Sequence, residues 1–166
     1  MTDEAQSKVF NQWLDSHKAL LFKVVRAYAF TADDRDDLFQ EVSIQVWRSI
    51  PKFRNESAVT TWIYRIALNT SLKWKAKEQK VLTENKLDHH RVVVAQDEPD
   101  GRIEWLYRQI GQLNGIDRSL CLLLLDGFSY KEMGEMLGIT EGHVAVKVHR
   151  VKKYLSEQSK AIEHEF

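Results

Sequence analysis

His143, Lys147, Arg150, Lys152 and Lys153 recur at spacings that gather them on the outer side of one helix, and between Lys147 and Lys153 no acidic residue interrupts them. Such a helix suits a DNA major groove, with its first turns towards base edges and its basic C-terminal half against phosphates. The same cations also complement the negative end of a helix dipole, so the run by itself equally fits a solvated face. A second basic set lies upstream, where Arg54, Arg65, Lys73, Lys75 and Lys77 alternate with Trp62, Tyr64 and Trp74. Cations that track phosphates and rings that stack on unpaired bases are the two components of a single-strand surface, although tryptophans at helical spacing also serve as core. A third set has the opposite sign. Asp36, Asp37, Gln40 and Glu41 offer an acidic and amide surface, suited to a basic partner helix and unsuited to DNA.

The elements that position these groups read as helices throughout. Ser129 and Glu132 form a capping box that starts a short helix through Met133, Met136 and Leu137, and Gly138 ends it in a left-handed turn. Thr140 then caps a second helix whose apolar positions Val144, Val148, Val151 and Leu155 pack inward. The pattern is a helix-turn-helix. Gly134, costly in mid-helix, points to a close helix crossing. Upstream, apolar residues from Val9 to Tyr28 predict a helix bent near His17, and Leu38, Val42, Val46, Trp47 and Ile50 predict another that ends at Pro51. Trp62, Ile63, Ile66, Ala67, Thr70 and Trp74 predict the stripe of a third. From residue 81 to 102 the periodicity fades into a charged, Pro- and Gly-containing linker, in which Val92 to Val94 read either as a short strand or as a sticky docking point. The expected architecture is all-α, with two small helical domains, 1–80 and 103–166, joined by the flexible linker 81–102.

Composition narrows the function. With 24 basic and 24 acidic residues the net charge is zero, so nucleic-acid binding must come from segregated charge. The segregation exists, since residues 52–86 are mainly basic and residues 30–41 mainly acidic. The lone Cys121 allows no internal disulfide and reads as a small core residue. No signal pattern and no long apolar run is seen, so a cytoplasmic protein without membrane insertion is expected. A phosphate-binding glycine loop, a zinc-protease helix and a cysteine pair are all missing, so the chain is not expected to be an enzyme or to need a cofactor or metal. His89 and His90 stand side by side in the charged linker and read as solvated.

Taken together, the run Asp37-Leu38-Phe39-Gln40-Glu41, then Val46-Trp47-Arg48, Phe53-Arg54, Thr61 to Ala67 and Asn69-Thr70 resembles a bacterial sigma-70 family RNA polymerase sigma factor of the extracytoplasmic-function type. Phe128 to Glu132, Leu137-Gly138, Glu141-Gly142 and His149-Arg150 extend the resemblance to the C-terminal half. It implies that Asp36, Asp37, Gln40, Glu41, Trp47 and Arg48 grip core RNA polymerase. It further implies that Arg54, Trp62, Tyr64, Arg65, Asn69 and Lys73 read and hold the melted non-template strand at the minus-ten element. The loop Asn55-Glu56-Ser57-Ala58 would take a flipped base. Ser129, His143, Ala145, Val146, Lys147, Arg150 and Lys152 would meet the duplex at the minus-thirty-five element. An anti-sigma factor or other targeting partner is a further expectation of the family.

One departure matters. Where members usually carry a basic and a small polar residue, this chain has Ala145 and Val146, which touch a thymine methyl but donate no hydrogen bond to a base. Weak upstream reading follows from this. The closest alternative is an independent dimeric helix-turn-helix regulator, which has no need of residues 37–70; a helical adaptor that binds only protein is a second.

Overall fold

The computed structural model describes residues 1–85 and 101–163, and the chain divides into two compact units, Met1–Val94 and Ala95–Phe166. Residues 86–100, with the central part of the expected linker, the valine triplet and the His89-His90 pair, lie outside the described residues. The first unit holds α1 (Asp3–Tyr28), α2 (Ala32–Ser49) and α3 (Val59–Asn85); the second holds α4 (Gly101–Gln112), α5 (Gly115–Leu125), α6 (Tyr130–Leu137) and α7 (Glu141–Ala161). Among the described residues there is one further 3-10 turn, Ile50–Lys52, and no strand. The fold is all-α. No described helix is long and apolar enough to cross a membrane.

In the first unit the three helices close around Leu21, Val24, Tyr28, Leu38, Val42, Val46, Ile63 and Leu68, all fully buried. Thr31 starts α2 by accepting the Asp34 amide at 3.1 Å, and Pro51, which has no amide to offer, sits in the tight turn that follows it. The expected bend of α1 is present at His17, whose backbone leaves helical values (φ −119°, ψ 16°). Its cause is a side chain competing for the ladder: Nδ1 donates to the Trp13 carbonyl at 2.9 Å. A carbonyl only accepts, so Nδ1 carries the proton, and Nε2 is left to meet the Thr60 hydroxyl at 3.0 Å.

The expected stripe of α3 is corrected by rotation. Tyr64 and Leu68 take inner positions beside Ile63 and Ala67, while Trp62, Ile66 and Trp74 stay half-buried at the edge. Helix α3 is apolar around more than one face, so spacing alone does not say which face turns inward.

In the second unit Asn114 starts α5, accepting the Asp117 amide at 2.9 Å while its own amide donates to Asp117 Oδ2 at 3.0 Å. The buried Arg118, 3% exposed, reaches back with Nη2 to the carbonyls of Gly111 at 2.7 Å and Leu113 at 2.9 Å. It thereby satisfies acceptors that the end of α4 leaves unpaired, and a cation suits that end of the dipole. Tyr154 of α7 donates its hydroxyl to Gln109 Oε1 of α4 at 3.0 Å.

The helix-turn-helix forms as its punctuation requires. Ser129 accepts the Glu132 amide at 3.1 Å, Glu132 Oε2 accepts the Ser129 amide at 2.7 Å, and Gly138 ends α6 at φ 73°. Gly134 is explained differently from expectation. A Cβ there would lie 2.6 Å from the Ile139 carbonyl oxygen, so the tightest neighbour is the turn backbone, with the first amide of α7, that of Glu141, next at 3.5 Å.

Two outcomes test this packing. Gly134→Ala gains helix propensity but drives a methyl into backbone that cannot yield freely, so its urea midpoint is expected to fall by the equivalent of about 1–3 kcal/mol; an unchanged or raised midpoint would contradict the contact. Burial pushes the Cys121 thiol from 9.0 up to about 11. The unfolded thiol therefore ionises first: its stabilising contribution is complete below pH 9.0 and is lost as pH rises towards 11. Cys121→Ala should flatten that alkaline decline in a pH series of thermal midpoints, and the native thiol should be silent to a disulfide reagent at neutral pH.

Candidate functional site

Helices α2 and α3 leave between them a groove of about 680 Å³. Its apolar lining is the displaced stripe of α3, Trp62, Ile66 and Trp74; Arg65, Asn69, Lys73 and Lys77 add cations and an amide, and Arg48 and Glu41 enter from α2. Of the residues expected on a single-strand surface, Trp62, Arg65, Asn69 and Lys73 are brought together here. Tyr64 is not. It is 1% exposed, buried in the core with the Lys23 ammonium 5.8 Å from its ring centroid, and no base can stack on it.

The loop before α3 is anchored by rings. Phe53 meets Trp13 edge-on at 5.3 Å and Trp62, tilted at 57°, also at 5.3 Å. The Trp62 indole donates to Ser49 Oγ at 3.1 Å, which donates to the Val46 carbonyl at 2.7 Å. Asn55 is at φ 58°, and asparagine is among the few residues that adopt this left-handed turn readily. A second cavity of about 410 Å³ lies against the loop, lined by Phe53, Arg54, Glu56, Ser57, Trp62 and Arg65. Asn55 and Ala58 do not line it; Asn55 shapes the turn, and the Ala58 carbonyl starts α3 by accepting the Trp62 amide at 3.1 Å.

On α2, burial of Leu38, Val42 and Val46 turns Asp36, Asp37, Gln40, Glu41 and Arg48 to solvent. Trp47 does not join them. Its ring packs edge-on against Phe10 of α1 at 5.4 Å and its carbonyl accepts Gln6 Nε2 at 2.8 Å, so it belongs to the helix packing. Sequence reasoning passed over Ile44, which is 43% exposed amid the acidic face. Its signal was present: it lies two residues from Val42 and from Val46, hence opposite the buried stripe.

On α7, burial of Val144, Val148 and Val151 leaves His143, Val146, His149, Arg150, Lys152 and Lys153 exposed. Val146 is 50% exposed at the centre of that outer face, and Ala145 is half-buried at its side. Ser129 is exposed, its oxygen engaged in the capping box. Lys147 is less exposed than its neighbours: its ammonium lies 3.6 Å from Asp117 Oδ1, with both side chains 20% exposed.

Comparison with known proteins accords with this division. Residues 13–81 match the family described as sigma-70 region 2, and residues 103–155 match sigma-70, region 4. The chain is 23% identical to an ECF RNA polymerase sigma-E factor of Haemophilus influenzae, over 93% of this chain and 89% of the relative. It is 25% identical to the ECF RNA polymerase sigma factor SigM of Mycobacterium tuberculosis, over 89% of this chain and 75% of the relative. A similar fold is found in the sigma factor RpoE of Bartonella quintana, solved in complex with the anti-sigma factor NepR, with a TM-score of 0.74, 21% identity and coverage of 92% of this chain and 98% of that one. CnrH, solved with the cytosolic domain of CnrY, has a TM-score of 0.64 and 22% identity over 93% of this chain and 90% of that one. The chain belongs to the sigma-70 family of RNA polymerase sigma factors and is of the extracytoplasmic-function type.

Proposed function

We propose that this sigma factor binds core RNA polymerase through the outer face of α2, opens promoter DNA at the minus-ten element with the α2–α3 groove and its loop, and meets the upstream duplex with α7. The observation that carries the reading is the segregation of charge across the first unit: an acidic face with Asp37, Gln40 and Glu41 on one helix, and a basic, aromatic groove with Arg65 and Lys73 on the next. One surface suits a basic protein helix and the other a phosphate backbone. An independent dimeric regulator has no use for the first unit, which matches sigma-70 region 2.

Opening follows from capture. Extruding a base costs a few kcal/mol, and a pocket that holds the extruded base offsets that cost only when the base fits. The cavity beside Arg54, Glu56 and Ser57 supports this role, with Asn69 and Lys73 holding the strand that follows. Polymerase performs the chemistry of RNA synthesis, and no reaction is assigned to this chain. It works in the cytoplasm beside polymerase, and a targeting partner of the anti-sigma kind is part of the reading, supported by RpoE, solved with the anti-sigma factor NepR, and by CnrH, solved with the cytosolic domain of CnrY.

Asp37→Lys with Glu41→Lys should weaken capture of core polymerase tenfold or more in a pull-down, about 1.4 kcal/mol, while a folded circular dichroism spectrum persists; undiminished capture would place the polymerase contact elsewhere. For the upstream element, Ala145→Lys with Val146→Ser should sharpen the preference of the holoenzyme for one sequence when transcripts from a promoter library are aligned. An unaltered consensus would mean that these two positions do not limit upstream reading.

A further inference from the structure

The Lys147–Asp117 pair separates one cation of α7 from its neighbours. Asp117 stands in the first turn of α5, where a carboxylate complements the helix dipole. Asn114 holds it on both sides, through the Asp117 amide and through Oδ2. The remaining oxygen, Oδ1, is closed to solvent and meets no hydrogen-bond donor; the Lys147 ammonium at 3.6 Å is the countercharge set against it. Both side chains are only 20% exposed, and a carboxylate oxygen closed to solvent loses stability when stripped of its countercharge. A lysine–phosphate contact on an open surface is screened by salt more than this part-buried pair is. The pair thus sets Lys147 apart from Arg150 and Lys152, which are exposed.

We propose that Lys147 is a positioning residue: pinned to Asp117, it fixes the roll of α7 on α5 and so the angle at which His143, Val146 and Arg150 are presented, without itself holding a phosphate. The inference rests on the reading of α7 as the DNA-facing helix and refines it. In a line of basic residues at helical spacing, one belongs to the scaffold.

The test uses the full chain, a fluorescent mixed-sequence duplex and a potassium chloride series, with thermal unfolding of the same variants. Arg150→Gln is expected to lower the log–log salt slope by about 0.9, the value of one phosphate contact. Lys147→Gln should leave the slope unchanged while lowering the thermal midpoint. Asp117→Asn should raise the slope by about 0.9 as the lysine is released, and the double variant should return to the wild-type slope. In the thermal series the double variant should lose less than the two single losses added, because each partner is costly to bury alone. A fall in slope for Lys147→Gln equal to that for Arg150→Gln would overturn the proposal and leave α7 on DNA. Additive thermal losses would also overturn it. If Arg150→Gln too left the slope unchanged, the reading of α7 as the DNA-facing helix would fall, and the proposal with it.

Discussion

A helix in a small three-helix unit surrenders one stripe to the core, and every charge it carries must then occupy what remains. This constraint sets the first unit of the protein. Leu38, Val42 and Val46 are completely buried, so α2 has no freedom to roll. Its outer face is fixed as acidic by Asp37, Gln40 and Glu41, and its flank reaches the groove with Glu41 and Arg48. A chain with zero net charge thus offers two surfaces of opposite character within one bundle. Long-range attraction to nucleic acid is weak for such a molecule, and local complementarity carries the discrimination.

Polar groups at the helix ends hold these faces in place. The Trp62–Ser49–Val46 relay ties the start of α3 to the end of α2. Arg118 ties α5 to the end of α4 through the carbonyls of Gly111 and Leu113. Arg118 satisfies carbonyls that another helix leaves open, whereas Trp62 donates to a hydroxyl that itself donates to a carbonyl of its own helix; either way, packing and termination are joined. Hydrophobic burial has no direction along a helix axis; hydrogen bonds of this kind supply it.

Much of this was legible in the sequence because it is local. The capping box of Ser129 and Glu132, the stop at Gly138 and the bend at His17 all involve residues within four positions of one another, and each formed as read. What the sequence did not reveal depends on partners far along the chain. Trp47 was drawn inward by Phe10, and Lys147 by Asp117, thirty positions away. Tyr64 was drawn into the core while Trp62 stayed at its edge, because both lie on an apolar helix whose period is plain and whose direction is not. The charged face of α2 was legible residue by residue, but Ile44 within it was overlooked because a single exposed aliphatic side chain resembles ordinary surface.

The anchored loop before α3 has a thermodynamic consequence. Phe53 is in ring contact with two indoles, Asn55 is set in its turn, and Ala58 already belongs to the hydrogen bonding of α3. The conformational entropy of these residues is lost when the protein folds, not when the cavity is filled. An occupant would then meet backbone that is anchored at Phe53, Asn55 and Ala58 before it arrives. Were this cavity to take the flipped base as proposed, discrimination would fall on how long an occupant stays, since a preformed backbone admits right and wrong ones at similar rates.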